Sequence, residues 1–130
     1  MLNAYTTKAE VQNAVAFVND VTILGTNTAA AIERMRQDVF SAANGDRNSV
    51  DNIAIVVSDG QSNIRREDTI ASAEQARNAG IRLMAVGLGS NVDRSEIEGI
   101  ASSPGTNAFY LEDNADMSVT VDAILNQICQ

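Results

Sequence analysis

The spacing of apolar residues along the chain alternates between two periods, and this alternation predicts strands and helices in turn. Continuous runs of β-branched and aliphatic residues are typical of strands that are covered on both faces, as in parallel sheets. Such runs predict strands over 53–57, 81–87 and 107–111. Elsewhere apolar residues recur every three or four positions, which is the helical period. These stretches predict helices over 7–18, 28–40, 67–79, 93–101 and 117–128.

Polar residues at the ends of these stretches predict where the helices begin and end. Thr7 and Glu10 have the spacing of a capping box, and Asp93 with Glu96 has a similar spacing before the fourth helix. Thr28 is the default cap of the second helix, because a hydroxyl at this position accepts from a free backbone N–H group. The glycine at position 80 predicts the end of the third helix.

The order of the elements predicts an α/β fold with a three-layer architecture. Strands that alternate with helices favour right-handed crossovers, and therefore an open parallel sheet with helices on both faces. Three strands are few for the number of helices, so we expect part of the sheet to be missing. The strand at 53–57 would then have an unpaired edge, and unpaired edges promote self-association.

Composition narrows the function classes. The 130 residues suit one domain, and 17 acidic against 9 basic residues give a net charge of −8, which disfavours nucleic acid and anionic membrane as partners. The absence of histidine excludes a Ser-His-Asp triad and a histidine zinc site. No apolar run approaches the ~18 residues of a membrane span. The single cysteine, Cys129, is a free thiol, an intermolecular bridge or half of a disulfide whose partner lies elsewhere.

The best candidate for chemistry follows the first strand. Ligands of open parallel sheets bind beyond the carboxyl ends of the strands, and Asp59 is the first carboxylate after 53–57. Short oxygen- or amide-bearing side chains surround it, and such groups suit hard divalent cations. These neighbours are Ser58, Gln61, Ser62 and Asn63, with Gly60 permitting the turn. The alternative is that Asp59 only stabilises a turn.

A second loop, Gly25–Thr28, precedes a helix. Thr26 lies outside the first helical turn, so its hydroxyl has less need to cap the helix than that of Thr28 and could point elsewhere.

Three further stretches have weaker signals. The glycines at 87 and 89 resemble part of a dinucleotide-binding loop, but the third glycine is missing. Arg65 and Arg66 could bind an anion, although an exposed arginine pair on a solvated loop is the simpler interpretation. The acidic stretch 112–116 could hold calcium, but it lacks EF-hand spacing and precedes a helix whose dipole already favours acids.

Several segments in sequence order resemble the von Willebrand factor type A domain, in the style of matrix members such as collagen-associated and matrilin-like domains. The resemblance is carried by residues 25–32, 55–62, 79–89, 96–102 and 109–111. It implies a truncated Rossmann-like fold in which residues 1–130 form a single, partial domain. The segment that is absent is roughly the first third of the usual domain, including its Asp-x-Ser-x-Ser motif.

The resemblance implies a divalent cation, usually Mg²⁺, at the carboxyl edge of the sheet. It assigns Thr26 as a direct hydroxyl ligand and Asp59 as a carboxylate that acts largely through water. The rim of the site would comprise Asn27, Gly60, Gln61 and Ser62. With the Asp-x-Ser-x-Ser ligands absent, we expect an incomplete site that binds the cation weakly or not at all.

The same resemblance implies a secreted or matrix protein-binding module and not an enzyme. An acidic residue of a protein partner, such as collagen, would complete the shell of the cation. Cys129 matches the place of a domain-closing cysteine. Two alternatives stay open: a metal-independent assembly module, joined through the sheet edge or Cys129, and a magnesium-dependent hydrolase-like enzyme. The enzyme is disfavoured because the one lysine, Lys8, lies far from any strand end.

Overall fold

A parallel three-stranded sheet forms the centre of the computed structural model, which describes residues 3–17, 25–59, 61–112 and 117–129. The strands are β1 (Asn52–Ser58), β2 (Ile81–Leu88) and β3 (Ala108–Leu111), in the spatial order β1-β2-β3. β1 pairs with β2 from Asn52 opposite Ile81 to Ser58 opposite Gly87. The three predicted strands and their parallel arrangement are confirmed.

The described residues contain six α-helices. They are α1 (Lys8–Ala16), α2 (Thr28–Arg34), α3 (Thr69–Asn78), α4 (Arg94–Ile100), α5 (Pro104–Asn107) and α6 (Met117–Ile128). A π-helical turn, Met35–Val39, continues α2, and a 3₁₀ turn, Arg66–Asp68, precedes α3. A further 3₁₀ turn lies at Ala42–Asn44. The one-turn helix α5 occupies a segment predicted as a plain turn, so β3 begins at Ala108 and not at 107.

Three of the predicted helix ends are confirmed. Thr7 and Glu10 form the reciprocal capping box of α1, and Asp93 caps α4 by accepting from two backbone N–H groups. Gly80 follows α3 with φ of +81°, a conformation that a glycine adopts without strain.

Two predicted details of the caps are wrong. Asn27, and not Thr28, caps α2, because the Asn27 Oδ1 atom accepts from the backbone N–H of Ala30 at 2.9 Å. Thr28 is already the first helical residue. Glu96 does not complete a capping box with Asp93, because its carboxylate binds Ser62 instead.

One face of the sheet, called here the packed face, carries the hydrophobic core. Ile81, Leu83 and Ala85 of β2 belong to one buried cluster with residues of α2, α3 and α4 on this face. Ala54 and Val56 of β1 lie opposite Leu83 and Ala85 and pack against the same cluster. The remaining buried members of the cluster are Ile32, Ala73, Ala76, Ile97, Ile100 and Ala101.

The opposite face, called the second face, is covered unevenly. The Arg82 guanidinium donates to Gln127 of α6 at 3.3 Å, which places α6 on this side of the sheet and confirms helices on both faces. Met84 and Val86 are buried there. Their β1 partners in the register, Ile55 and Val57, are 45% and 58% exposed. The expectation that the 53–57 run is covered on both faces is therefore wrong for these two side chains.

The first and last helices contribute little to the core. Neither α1 nor α6 has a buried residue, and Val11, Val15 and Phe17 at the N-terminal end are exposed. None of the helices in the described ranges is both long and apolar enough to cross a membrane.

Candidate metal centre

Two loops carry the predicted ligands. The Asp59 loop, residues 59–65, follows β1 at the carboxyl edge of the sheet, and the Thr26 loop, residues 25–28, leads into α2. Gly60 lies outside the described residues. The carboxyl ends of parallel strands are where ligands of open α/β sheets bind, so the Asp59 loop has the position that such chemistry requires.

Hydrogen bonds of the Thr26 backbone join the two loops. The Thr26 N–H donates to Asn63 Oδ1 at 2.8 Å. The Asn63 and Ile64 N–H groups both donate to the Thr26 carbonyl oxygen, at 3.0 and 3.1 Å. The segments come from positions 37 residues apart in the chain. Sequence reasoning placed both loops at one site, and in the fold they are in direct contact.

Gly25 allows this close approach. Its φ is +147°, and a Cβ atom added at this position would lie 2.6 Å from Ile64 Cδ1 and 3.1 Å from Asn63 Oδ1. Any side chain at position 25 would therefore displace the Ile64 side chain and strain its own backbone.

Thr26 and Asp59 are both exposed. In the described part of the chain, neither side chain has a hydrogen bond or an ion pair, so both present oxygen atoms that a ligand could use. Hydroxyl and carboxylate oxygens are donors that Mg²⁺ accepts. Within the same residues there is no group of three or more acidic, histidine or cysteine side chains placed to hold a metal ion. The assignment of Thr26 and Asp59 as metal ligands stays a prediction.

The four predicted rim residues have different positions. Gln61 is exposed, and Asn27 is half-buried with its side-chain oxygen used as the cap of α2. Gly60 falls outside the described residues. Ser62 does not lie on a rim, because it is 1% exposed and its hydroxyl is held below the surface. Its Oγ lies 2.6 Å from Glu96 Oε1 and 2.5 Å from Thr28 Oγ1.

Sequence reasoning missed Glu96 as part of this region. Its carboxylate is 6% exposed and binds Ser62, which is 34 residues away in the chain. One signal was available: Glu96 precedes the buried Ile100 by four positions, so it lies on the buried side of α4. No residue near Glu96 in the sequence indicates that Ser62 is its partner.

The two arginines after the Asp59 turn are neutralised by acids of the chain. Arg65 donates to both carboxylate oxygens of Glu33, at 3.0 and 3.1 Å, and to Asp68 at 2.8 Å. These hydrogen bonds from Arg65 lower the pKa of Glu33 below its ordinary value. Arg66 binds Asp93 at 2.5 Å. Their guanidinium groups therefore bind internal carboxylates, which removes the reason to assign them to an external anion.

The remaining candidates are the glycine at position 87, the acidic stretch and Cys129. Gly87 lies in β2, and a Cβ atom there would contact Val92, so the glycine permits close packing. Residues 113–116 of the acidic stretch lie outside the described residues, and Glu112 lies 4.0 Å from Arg94. Cys129 directly follows α6 as an exposed free thiol, so its place in a disulfide stays a prediction.

Comparison with known sequences gives one consistent family. The sequence model of the von Willebrand factor type A domain matches residues 1–123. The collagen alpha-1(XII) chain of Notophthalmus viridescens is 32% identical over 95% of this chain, and matrilin-2 of Mus musculus is 32% identical over 98%. Matrilin-1 of Gallus gallus is 36% identical over 81%. The chain spans only 12%, 13% and 21% of the lengths of these relatives.

Solved structures show the same fold. Proximal thread matrix protein 1 from the mussel byssus matches 95% of this chain and 31% of its own, with a TM-score of 0.82 and 22% identity. A second structure of that protein, which has a zinc-occupied MIDAS motif, matches the same shares with a TM-score of 0.81 and 23% identity.

Proposed function

This chain belongs to the von Willebrand factor type A domain family, and on that premise we propose that it is a protein-binding module of extracellular-matrix adhesion. The proposal includes a divalent cation at Thr26 and Asp59 as the contact to the partner, and no catalytic activity. Relatives at 32–36% identity are a collagen chain and matrilins, which supports a matrix setting and an extracellular location.

The observation that carries the proposal is the direct hydrogen bonding between the two ligand-bearing loops. Thr26 donates through its backbone to Asn63 and accepts from Asn63 and Ile64, while its hydroxyl stays exposed. Asp59 is the exposed carboxylate of the same pair of loops. A hydroxyl and a carboxylate are hard oxygen donors, and they fit Mg²⁺ better than a soft metal.

We propose that the site is incomplete in these 130 residues. Mg²⁺ requires about six oxygen ligands in a near-octahedral arrangement, and the side chains of Thr26 and Asp59 supply only a few of them. A bound cation would offer an open coordination position to a carboxylate of the partner. The net charge of −8 opposes the approach of an acidic partner, and a bound cation would offset that repulsion locally.

The experiment measures binding of the chain to an immobilised collagen surface in Mg²⁺ and in EDTA. Binding is expected in Mg²⁺ and lost in EDTA. The Asp59→Ala variant should lose binding by about tenfold or more, since a ligand charge is removed. The matched control is Asp51→Ala, because Asp51 is an exposed acid just before β1, at the opposite end of the strand.

Binding that is equal in Mg²⁺ and EDTA would overturn the cation-dependent mechanism. An equal loss in the Asp51 and Asp59 variants would also contradict it, because that result points to net charge alone.

A second candidate function is a metal-independent assembly module that joins copies of the chain. The specific observation is the exposed apolar pair Ile55 and Val57 on β1. In the residues that the structure describes, β1 pairs only with β2, so no strand there pairs with its other edge. An apolar strand edge without charge or proline is a template for pairing with another chain. Such assembly would persist in EDTA, which distinguishes it from the first candidate.

A further inference from the structure

A buried polar cluster lies beneath the two candidate ligand loops, and we infer that its carboxylate, Glu96, is the positioning residue of the site. Glu96 acts on the Asp59 loop through Ser62 and on the Thr26 loop through Thr28. This inference rests on the proposed function for the meaning of the site, but the loop geometry can be tested without any metal. All three side chains are almost fully buried, with exposed fractions of 6% or less.

The contacts form a continuous chain from α4 to α2. The backbone N–H of Ser62 donates to both Glu96 carboxylate oxygens, at 3.2 and 3.3 Å. The Ser62 hydroxyl lies 2.6 Å from Glu96 Oε1 and 2.5 Å from the Thr28 hydroxyl oxygen. Ser62 is three positions after Asp59, and Thr28 is two positions after Thr26. The cluster therefore fixes both loops within three residues of the predicted ligands.

The direction of the protons follows from the chemistry of the groups. A carboxylate only accepts hydrogen bonds, and a serine hydroxyl has a single proton to donate. Ser62 therefore donates its proton to Glu96, and the Ser62–Thr28 bond is made by the Thr28 proton. Hydrogen bonds in such a series polarise one another, and those to a carboxylate are the stronger kind.

Glu96 is a positioning residue and not a third metal ligand. Both of its oxygens already accept from Ser62, and the Arg66 Nε atom lies 3.9 Å from Oε2 on the outer side. Arg66 is in turn held by Asp93, the cap of α4. Glu96 is only 6% exposed and already accepts from Ser62 with both oxygens, so we assign it the role of holding the loops and not of binding the cation.

The test compares two buried serines by amide hydrogen exchange in the metal-free chain. Ser62→Ala breaks the series, and Ser72→Ala is the matched control. Ser72 is 2% exposed, and its hydroxyl lies 3.3 Å from Glu33, at the interface of α2 and α3. The reporters are the Thr26, Asn63 and Ile64 amides that join the loops. Ser62→Ala should speed their exchange by about tenfold, and Ser72→Ala should leave it near the wild-type rate.

A second pair of variants tests the carboxylate itself. Glu96→Gln keeps a side-chain oxygen that accepts from Ser62, whereas Glu96→Met removes every acceptor at a similar size. In the glutamine variant the exchange rates of the three reporter amides should stay within about threefold of wild type. In the methionine variant they should rise as they do in Ser62→Ala. Should the methionine variant fail to fold, the two serine variants still decide the question.

The inference is overturned if Ser62→Ala and Ser72→Ala change the three amides equally, because the cluster would then be ordinary core. A separate Mn²⁺ titration of the wild type decides the proposed function. If Mn²⁺ does not bind but Ser62→Ala still speeds exchange of the three reporter amides more than Ser72→Ala does, Glu96 positions the loops and only the cation proposal fails. If Mn²⁺ binds and Ser62→Ala does not change the reporters, the positioning role fails alone.

Discussion

The two faces of the sheet differ although they share the same strands. In β1, Ala54 and Val56 point to the packed face and contact the core, whereas the next residue in each case, Ile55 or Val57, is largely exposed. All four are apolar, so hydrophobicity alone does not distinguish them. The difference arises because α2, α3 and α4 cover the packed face, while on the second face α6 lies over β3.

This contrast separates what holds the fold together from what is available for contact. The helices on the packed face are also bonded to one another. Arg77 of α3 donates to the last two carbonyl oxygens of α4, both at 2.8 Å. The second face beside β1 has no comparable cover in the described residues. We therefore expect substitutions on the packed face to change stability and those beside β1 to change association.

The largest expected effect is the loss of core packing. Leu83→Ala on the packed face should lower the free energy of unfolding by about 2–5 kcal/mol, because Leu83 is fully buried. Leu125→Ala in α6 is the matched control, since its side chain is 49% exposed and should cost less than about 1 kcal/mol. Urea denaturation measures both. Equal losses would contradict the distinction between the faces.

The next effect concerns association. Val57→Lys places a charge on the exposed part of β1, where two copies would meet, and should weaken self-association by about tenfold or more. Val119→Lys makes the same chemical change on α6 at a side chain that is also exposed. Sedimentation velocity over a concentration series compares them. If the α6 variant dissociates the protein and the β1 variant does not, the contact lies elsewhere.

The smallest effect is a change in acid stability. Hydrogen bonds from Arg65 lower the pKa of Glu33, and the Ser95 hydroxyl is the largest contributor to a lowered pKa of Asp93. A carboxyl whose folded pKa is lowered stabilises the fold above its unfolded pKa, about 4 for these groups, and loses that contribution as the pH falls through the folded value. Solvent weakens both of these interactions, so the expected loss of folding stability in acid is modest.

Melting temperatures at pH 7, 5, 4 and 3 test this. The melting temperature should be nearly constant between pH 7 and 5 and fall below about pH 4. Glu33→Gln should flatten part of that fall. A rise in stability on acidification would contradict the sign of both pKa changes.

Local features of this chain were predictable, and distant pairings were not. The capping box of Thr7 and Glu10 and the helix end at Gly80 depend on neighbouring residues, so the sequence alone indicates them. The partners of Ser62 and Arg65 lie 34 and 32 residues away, and only the packed fold decides them. The same reason explains Ile55 and Val57: a buried strand and a half-covered strand have the same apolar pattern. The position after a strand indicates Asp59 as a candidate, whereas its combination with Thr26 in one metal site was predictable only through the family resemblance.

The central claim is that a divalent cation binds at Thr26 and Asp59, and calorimetric titration with Mg²⁺ and Mn²⁺ tests it most directly. We predict weak binding to the wild-type chain, with a Kd of roughly millimolar or weaker, because the two side chains supply few ligands. The heat of binding should disappear in Asp59→Ala and in Thr26→Val, and persist in Asp51→Ala. Micromolar binding that survives both substitutions would contradict the claim.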